Sequence, residues 1–210
     1  MKAKYILIET VLVTAVTLLG IWFLTSFKTV FALIPLVYLL IERRLRKRNW
    51  AELGFKFRTF WTDLRNNWGW FVLVGLVSQP LAAVLAKFFY PAYLEHVSAR
   101  LPFSDEMGWI VILPMLAISL VLEELTYRTL IQGRLTPYIG APLAIVIASV
   151  LFGFAHFSPG PFWIVFLDIG LIVIDSLLFG IIFKRSGNLV VTWLAHLIGD
   201  VLGLLVIATL

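Results

Sequence analysis

The hydrophobic residues of this chain fall into long, nearly continuous runs separated by short polar stretches. Strict alternation of apolar and polar positions is rare, which favours helices over the strands of a membrane barrel. Most runs approach the roughly 20 residues that a helix needs to cross a bilayer. The seven runs cover residues 5–25, 29–41, 68–90, 108–132, 141–157, 162–183 and 189–210. The pattern predicts an all-α integral membrane protein, a bundle of about seven transmembrane helices.

The first two runs and the polar stretch after them form a unit of their own. Lys2 and Lys4 precede the first run, as in a signal peptide. No small-x-small cleavage site follows, so we expect an uncleaved first helix. The second run ends in a basic cluster at residues 42–48. Residues 1–66 are predicted to be two membrane helices plus a basic amphipathic cytoplasmic segment, and residues 67–210 to form the membrane core.

Residues 49–67 are not apolar throughout, but their apolar side chains recur at helical three-and-four spacing. That spacing predicts a helix lying in the membrane interface beside anionic headgroups. A polar loop packed on the protein is the alternative that the same residues allow. In either case Gly54 is expected to interrupt the start of the segment.

Composition supports the membrane class. Of 210 residues, 61% are hydrophobic and 14% are charged, whereas soluble domains are about half apolar and a quarter charged. The net charge of +5 is concentrated in clusters between the apolar runs. This distribution is typical of a protein in a lipid bilayer, so we expect no nucleic-acid binding. The absence of cysteine excludes disulfides and thiolate metal sites.

The positions of Lys and Arg predict the orientation. With the N-terminus inside, thirteen of the 17 basic residues lie in inner stretches, three lie in outer stretches, and Arg128 lies within a run. Inner loops of membrane proteins carry this kind of excess. We expect a multi-pass protein of a prokaryotic plasma membrane, with its N-terminus in and its C-terminus out.

The fourth run carries three charged residues where the surroundings are mostly hydrocarbon. A charge near the centre of a bilayer helix costs about 3 kcal/mol or more, so such residues usually have a function. Glu124 and Arg128 are four residues apart on one helix face and are predicted to pair. Glu123 points about 100° away from Glu124, which leaves it available as a base or a ligand. The alternative is one buried ion network that only pins helices.

Two further polar clusters lie inside predicted spans, and they favour a functional site. The fifth run contains His156 and the seventh contains His196 and Asp200, which share a helix face. Together with Glu123 they predict a polar cavity within the membrane. At about 1.5 Å rise per residue from the inner boundary, Glu123 and His196 lie at roughly 12–14 Å, Asp200 at about 18 Å and His156 at about 22 Å. The fifth helix must therefore tilt or begin elsewhere.

Three other polar residues are expected to play smaller parts. Asp168 and Asp175 lie seven residues apart on the sixth run, and we expect them to line the cavity or to pair. His96 lies in the polar connection at residues 91–107, near Asp105 and Glu106, and is predicted to be a surface residue.

The three motifs, taken together, resemble a known family. The chain contains Glu-Glu-x-x-x-Arg at Glu123, Glu124 and Arg128, then Phe-x-x-x-His at Phe152 and His156, then His-x-x-x-Asp at His196 and Asp200. In this order on successive membrane helices, they resemble the CPBP group. This group comprises type II CAAX prenyl proteases and bacteriocin-processing or self-immunity (Abi) proteins. The resemblance covers roughly residues 68–210 and implies an intramembrane endopeptidase.

The resemblance also implies roles for the motif residues. Glu123 would be the base that activates water, and Glu124 with Arg128 would orient it. His156 would hold that water or a metal. His196 and Asp200 would face the scissile carbonyl or complete the metal site.

Two mechanisms stay open at this stage. Glu123, His156, His196 and Asp200 could ligate a zinc ion, or the site could work without a cofactor, with an oxyanion hole at His196. An ionised Asp200 would repel an oxyanion. Asp200 is therefore expected to be protonated, to orient His196, or to bind a metal.

Other functions compete with this prediction. Intramembrane Glu, His and Asp also mark proton-coupled transporters, although no internal repeat is evident. A non-catalytic immunity or scaffold protein is the third candidate. For a protease, the family implies prenylated CAAX tails in eukaryotic relatives. The expectation for this chain is a hydrophobic or membrane-associated peptide.

Overall fold

The computed structural model describes residues 2–101 and 108–209, and within these residues it contains helices and no strand. The helices are α1 (Lys2–Phe23), α2 (Lys28–Leu45), α3 (Phe60–Asn66), α4 (Trp68–Phe89), α5 (Pro91–Arg100), α6 (Trp109–Ile139), α7 (Ala141–Ala155), α8 (Phe162–Ser186) and α9 (Leu189–Thr209). The predicted all-α membrane fold is confirmed.

Among the described residues, six helices are long and apolar enough to cross a bilayer. They are α1, α2 with the turn before it, α4, α6, α8 and α9. The remaining apolar helix, α7, has 15 residues, fewer than a full span needs. The predicted seven spans are therefore six long helices and one short helix.

Helix α6 is longer than its apolar run predicts. The fourth and fifth apolar runs leave residues 133–140 between them as a predicted turn, but the helix continues through the segment Gly133–Ile139. It stops at Gly140, which has a φ of +78° that glycine adopts without strain. The middle of α6, Leu125–Gln132, is a π-helical segment whose residues are all buried. Such segments often occur at functional sites.

Residues 49–67 do not form one interfacial helix. They form two short 3₁₀ turns, Trp50–Leu53 and Phe57–Thr59, followed by α3. Gly54 separates the turns with a φ of +96°, which confirms the predicted interruption. The segment packs on the protein. The carbonyl of Leu53 accepts a hydrogen bond from the Thr129 hydroxyl at 2.8 Å. The alternative of a packed loop therefore describes this segment.

The N-terminal helices are tied to α6 by an ion network. Glu42 is buried in α2 and pairs with Arg46, with Arg48, and with Arg134 of α6. Arg46 also pairs with Glu9 of α1 at 2.5 Å. The buried carboxylate is thus compensated by several cations, as a buried charge requires. The basic cluster at residues 42–48 therefore belongs to a helix junction.

The opposite end of α1 is fixed by a different bond. The indole nitrogen of Trp22 donates a hydrogen bond to the carbonyl of Phe154 at 3.1 Å. Since Phe154 lies near the end of α7, the tip of the α1–α2 hairpin is held at the depth of His156. This places the N-terminal helices directly against the side of α6 and α7 that carries the polar motifs.

Candidate active site

The extension of α6 brings Glu123 and His156 to the same depth. Glu123 lies 16 residues before Ile139, the last residue of α6, and His156 lies 15 residues after Ala141, where α7 begins. At about 1.5 Å per residue these positions are roughly 24 Å and 22 Å from the shared turn. The sequence-based mismatch in depth thus came from the assumed end of the fourth helix. Glu123 Oε1 and His156 Nε2 are 3.9 Å apart.

The proton on the His156 ring can be assigned from its neighbour. Its Nδ1 lies 2.9 Å from the carbonyl oxygen of Phe152. A carbonyl can only accept, so Nδ1 carries the hydrogen. In the neutral ring Nε2 then has a lone pair directed toward Glu123. Two acceptors at 3.9 Å suit a water molecule that donates one hydrogen to each.

Glu124 and Arg128 form the predicted pair, with 3.4 Å between Glu124 Oε2 and Arg128 Nε. Both side chains are essentially inaccessible to solvent. Arg128 also donates a hydrogen bond from Nη2 to the Ser176 hydroxyl of α8 at 2.7 Å. The other oxygen of Glu124 accepts a hydrogen bond from His196 Nδ1 at 3.0 Å. The group that Glu124 and Arg128 orient by contact is therefore His196 of α9.

Aromatic rings hold the two histidines apart. Phe152 packs at 4.5 Å between ring centroids from His156 and at 5.8 Å from His196. The other side of His196 lies against Phe179 at 4.4 Å. The guanidinium of Arg128 lies 5.9 Å from the centre of the Phe152 ring, within cation–π range. The phenylalanine of the second motif thus sets the spacing of the site.

Asp200 has a partner that the sequence motifs did not include. Gln79 of α4 donates a hydrogen bond from its amide to Asp200 Oδ1 at 2.6 Å. The same oxygen lies 3.7 Å from His196 Nε2. Asp200 therefore lies between the amide of Gln79 and the imidazole of His196. A polar residue inside an apolar run, next to Pro80, was the available signal for Gln79.

All four predicted central residues line one cavity of about 360 Å³. Glu123, His156, His196 and Asp200 form part of its wall together with Asp175, and most of the rest is apolar. The side chains of Glu123 and His156 remain 28% and 32% exposed, so water can contact them. The prediction that Asp175 lines the cavity is confirmed.

Asp168 is paired, as predicted, and its partner is the histidine that was expected at the surface. His96 Nε2 lies 3.6 Å from Asp168 Oδ2, with 9% of the His96 side chain exposed and 1% of the Asp168 side chain. The surface prediction for His96 is wrong because α5 folds back and packs on α8. Asp105 and Glu106 lie outside the described residues.

The predicted metal ligands are Glu123, His156, His196 and Asp200. Among residues 2–101 and 108–209, no group of three or more His, Cys, Asp and Glu side chains is arranged to hold a metal ion. The four candidates form two carboxylate–imidazole pairs, Glu123 with His156 and Asp200 with His196. Each histidine uses Nδ1 in a hydrogen bond, as metal-ligating histidines usually do with the nitrogen that does not bind the metal. The zinc site stays a prediction.

Comparison with known proteins adds one finding. Residues 105–202 match the family model described as Type II CAAX prenyl endopeptidase Rce1-like. The matched segment contains all three motifs and does not include α1–α5. Neither a curated protein nor a solved structure matches the chain.

Proposed function

We propose that the protein hydrolyses peptide bonds within the membrane by means of a water activated by Glu123. The premise is the match of residues 105–202 to the Rce1-like family of type II CAAX prenyl endopeptidases. The family supports a CAAX-type intramembrane protease. The observation that carries the finer proposal is the pair of acceptors, Glu123 and His156, 3.9 Å apart on the wall of a cavity.

In the first step, Glu123 and His156 Nε2 bind one water by accepting its two hydrogens. Glu123 takes a proton from that water as its oxygen attacks the scissile carbonyl carbon. A new C–O bond forms and the carbonyl oxygen becomes an oxyanion. Positioned general bases of this kind typically contribute about 10²–10⁴-fold to a rate.

In the second step, His196 stabilises the oxyanion. Its Nδ1–H is held by Glu124, and Asp200 lies beside Nε2. In the doubly protonated imidazolium, Nε2–H can donate to an oxyanion while Nδ1–H stays bonded to Glu124. Protonated Glu123 then gives its proton to the leaving nitrogen, the C–N bond breaks, and a carboxylic acid and an amine are released. The acid passes its proton to the amine, so that the products are a carboxylate and an ammonium group. Arg128 neutralises Glu124 throughout.

The substrate follows from the cavity. Its wall is mainly apolar, with polar groups gathered around Glu123 and His196. Such a cavity suits a hydrophobic or membrane-associated peptide that enters the site from the surrounding lipid. We place the protein in a prokaryotic plasma membrane, where a prenyl group is not a required part of the substrate.

The test is cleavage of a quenched fluorescent peptide by purified protein in detergent. The peptide ends in farnesyl-Cys-Val-Leu-Leu, and an unprenylated twin is assayed beside it. We expect Glu123→Gln to lower kcat/KM about a thousandfold, because the amide cannot take the proton of water. Glu95→Gln, the same change at an exposed position of α5, should retain wild-type activity.

Two outcomes would contradict the proposal. If the Glu123→Gln variant cleaves at the wild-type rate, Glu123 is not the general base. A wild type that cleaves neither peptide nor any protein of its native membrane, while both variants keep the wild-type phenotype, would favour a scaffold or immunity role. Metal analysis of the same samples separates the mechanisms. We expect activity within about twofold after chelation, whereas stoichiometric zinc that is lost in His156→Ala would support the metal mechanism.

A further inference from the structure

Asp175 is a carboxylate on the wall of the 360 Å³ cavity, and none of the three motifs contains it. It lies in α8, four residues before Phe179, so that both side chains share one helix face. The Phe179 ring packs against His196 at 4.4 Å between ring centroids. Asp175 therefore lies about one helical turn along α8 from the side chain that contacts the proposed oxyanion donor.

Asp175 and Asp200 lie at the same level of the bundle. The turn that joins α8 to α9 consists of Gly187 and Asn188. Asp175 is 12 residues before Gly187 and Asp200 is 12 residues after Asn188, so each is roughly 18 Å from that turn. Two neighbouring helices thus bring a carboxylate to the cavity wall at one depth.

The charges on this wall do not balance. Among the described residues that line the cavity, the acidic and basic ones are Glu123, His156, Asp175, His196 and Asp200, with no Lys or Arg. Each histidine is matched to one carboxylate, at 3.9 Å for Glu123 and 3.7 Å for Asp200. Asp175 is the third carboxylate, and the wall supplies no cation for it.

A carboxylate without a counterion is costly in a membrane interior. The side chain of Asp175 is only partly buried and faces space that a ligand can enter. The wall around it is mainly apolar and includes Leu94 and Val97 of α5 and Leu204 of α9. Such a wall accommodates the hydrocarbon stem of a Lys or Arg side chain while its charged head meets a carboxylate.

We infer that Asp175 selects peptide substrates that carry a Lys or Arg side chain near the scissile bond, by pairing with the cationic head. The inference rests on the proposed function and deepens it by adding a cation to the apolar substrate. An extended chain spans about 3.3–3.6 Å per residue. Since Asp175 lies about one helical turn from the contact with His196, the cation belongs within about two residues of the scissile bond.

The test measures peptide binding to the Glu123→Gln variant, so that it needs no turnover. Short labelled peptides of Leu and Ala carry one Lys, which is moved along the chain position by position, and each has a Gln and a Glu twin. Fluorescence anisotropy in a non-ionic detergent, with protein-free micelles as the blank, gives the Kd values. We expect the best-placed Lys peptide to bind about tenfold tighter than its Gln twin, the effect of one charge-assisted hydrogen bond.

The Glu twin should bind most weakly. General attraction to a protein with a net charge of +5 would have the opposite effect and favour the Glu peptide. A preference for Lys therefore reports a local carboxylate.

Variants on the same background identify that carboxylate. Asp175→Asn, which keeps the shape and removes the charge, should bring the Lys and Gln peptides within about twofold of each other. Asp175→Glu keeps the charge and should retain most of the preference. Glu95→Gln removes an exposed carboxylate outside the cavity and should behave like its parent. The Gln peptide is the reference within each variant, so a change that weakens all peptides alike cancels.

The inference is overturned if no Lys peptide binds at millimolar concentration, if Lys and Gln twins bind equally at every position, or if Asp175→Asn keeps the preference. Cleavage by wild-type protein separates this inference from the proposed function. Equal kcat/KM for cleaved Lys and Gln twins would contradict the role of Asp175 and leave that of Glu123 intact. A Lys preference in binding without any cleavage would count against the proposed function alone.

Discussion

The carboxylate of Asp200 lies between two side chains that come from different helices. Gln79 donates to it at 2.6 Å, and His196 lies 3.7 Å away. The amide fixes which way the carboxylate faces, and the carboxylate in turn lies against the imidazole that we propose to stabilise the oxyanion. Gln79 is thus a positioning residue for the second step.

We expect Gln79→Leu to lower kcat about tenfold with little change in KM, because one hydrogen bond to a charged group is lost. The measurement is peptide cleavage at several substrate concentrations, together with the thermal midpoint of unfolding in detergent. Gln79→Asn, which keeps the amide on a shorter side chain, serves as the comparison and should lose less. Wild-type kcat in Gln79→Leu would contradict the positioning role.

At the scale of single residues, short-range relations were predictable from the sequence and long-range ones were not. Helix periodicity separated Glu123 from Glu124 and paired Glu124 with Arg128, since four residues make one turn. The bonds of Gln79 to Asp200 and of His96 to Asp168 join distant parts of the chain. The sequence marks Gln79 as a polar residue within an apolar run, but neither Gln79 nor His96 has a local pattern that identifies its distant partner.

At the scale of helices, the position of α9 depends on close approach to α4. A side chain at Gly199 would bring its Cβ to 3.1 Å from the carbonyl oxygen of Val74, and one at Gly203 would lie 2.9 Å from the Gln79 amide oxygen. Small residues at such a crossing let two membrane helices pack backbone to backbone. Because Gly199 and Gly203 have no side chains, α9 lies close enough to α4 for Gln79 to donate its hydrogen bond to Asp200.

We expect Gly199→Ala to lower the thermal midpoint by several degrees and to reduce cleavage, because backbone atoms of α4 must move. Gly170→Ala is the matched control, since a Cβ there meets no atom within 4 Å. That control should be neutral or stabilising by about 0.5–1 kcal/mol. Equal midpoints for the two variants would show that the crossing tolerates more space than the structure indicates.

Helix boundaries were the least predictable feature at this scale. Gly133 and Gly140 both read as breakers in the sequence, but only Gly140 adopts a positive φ. Gly133 instead lies inside α6, where a Cβ would be 3.2 Å from the Arg128 carbonyl. Because the sequence places the end of α6 too early, the depth predicted for His156 differs from that of its partner, Glu123. Composition alone could not tell a glycine needed for packing from one needed for a turn.

At the scale of the whole molecule, the two ends of the chain lie at opposite ends of the bundle. Glu9 of α1 pairs with Arg46 near the basic junction, and α9 begins beside Gly54 and runs away from it. The membrane class and helical fold followed from long apolar runs, which only helices can satisfy within a bilayer. The side of the membrane on which each end lies is predicted from the distribution of Lys and Arg alone. No contact within the protein bears on it.

We expect the basic junction to face the cytoplasm and the C-terminus to face outside. Expressed in a bacterial host, a phosphatase fused after residue 209 should be active, because that enzyme requires the external compartment. A fluorescent protein inserted after Lys47 should fluoresce, since it folds inside. The reverse pattern at both positions would contradict the predicted orientation.

The central claim, that Glu123 and His156 act on one water, is tested most directly by a double-mutant cycle on peptide cleavage. Glu123→Gln and His156→Leu should each lower kcat/KM by about 10²–10³-fold or more. Groups that act as a unit are not additive. The double variant should therefore be no more than about threefold slower than the slower single variant. Losses that multiply, or a Glu123→Gln variant with wild-type activity, would contradict the account.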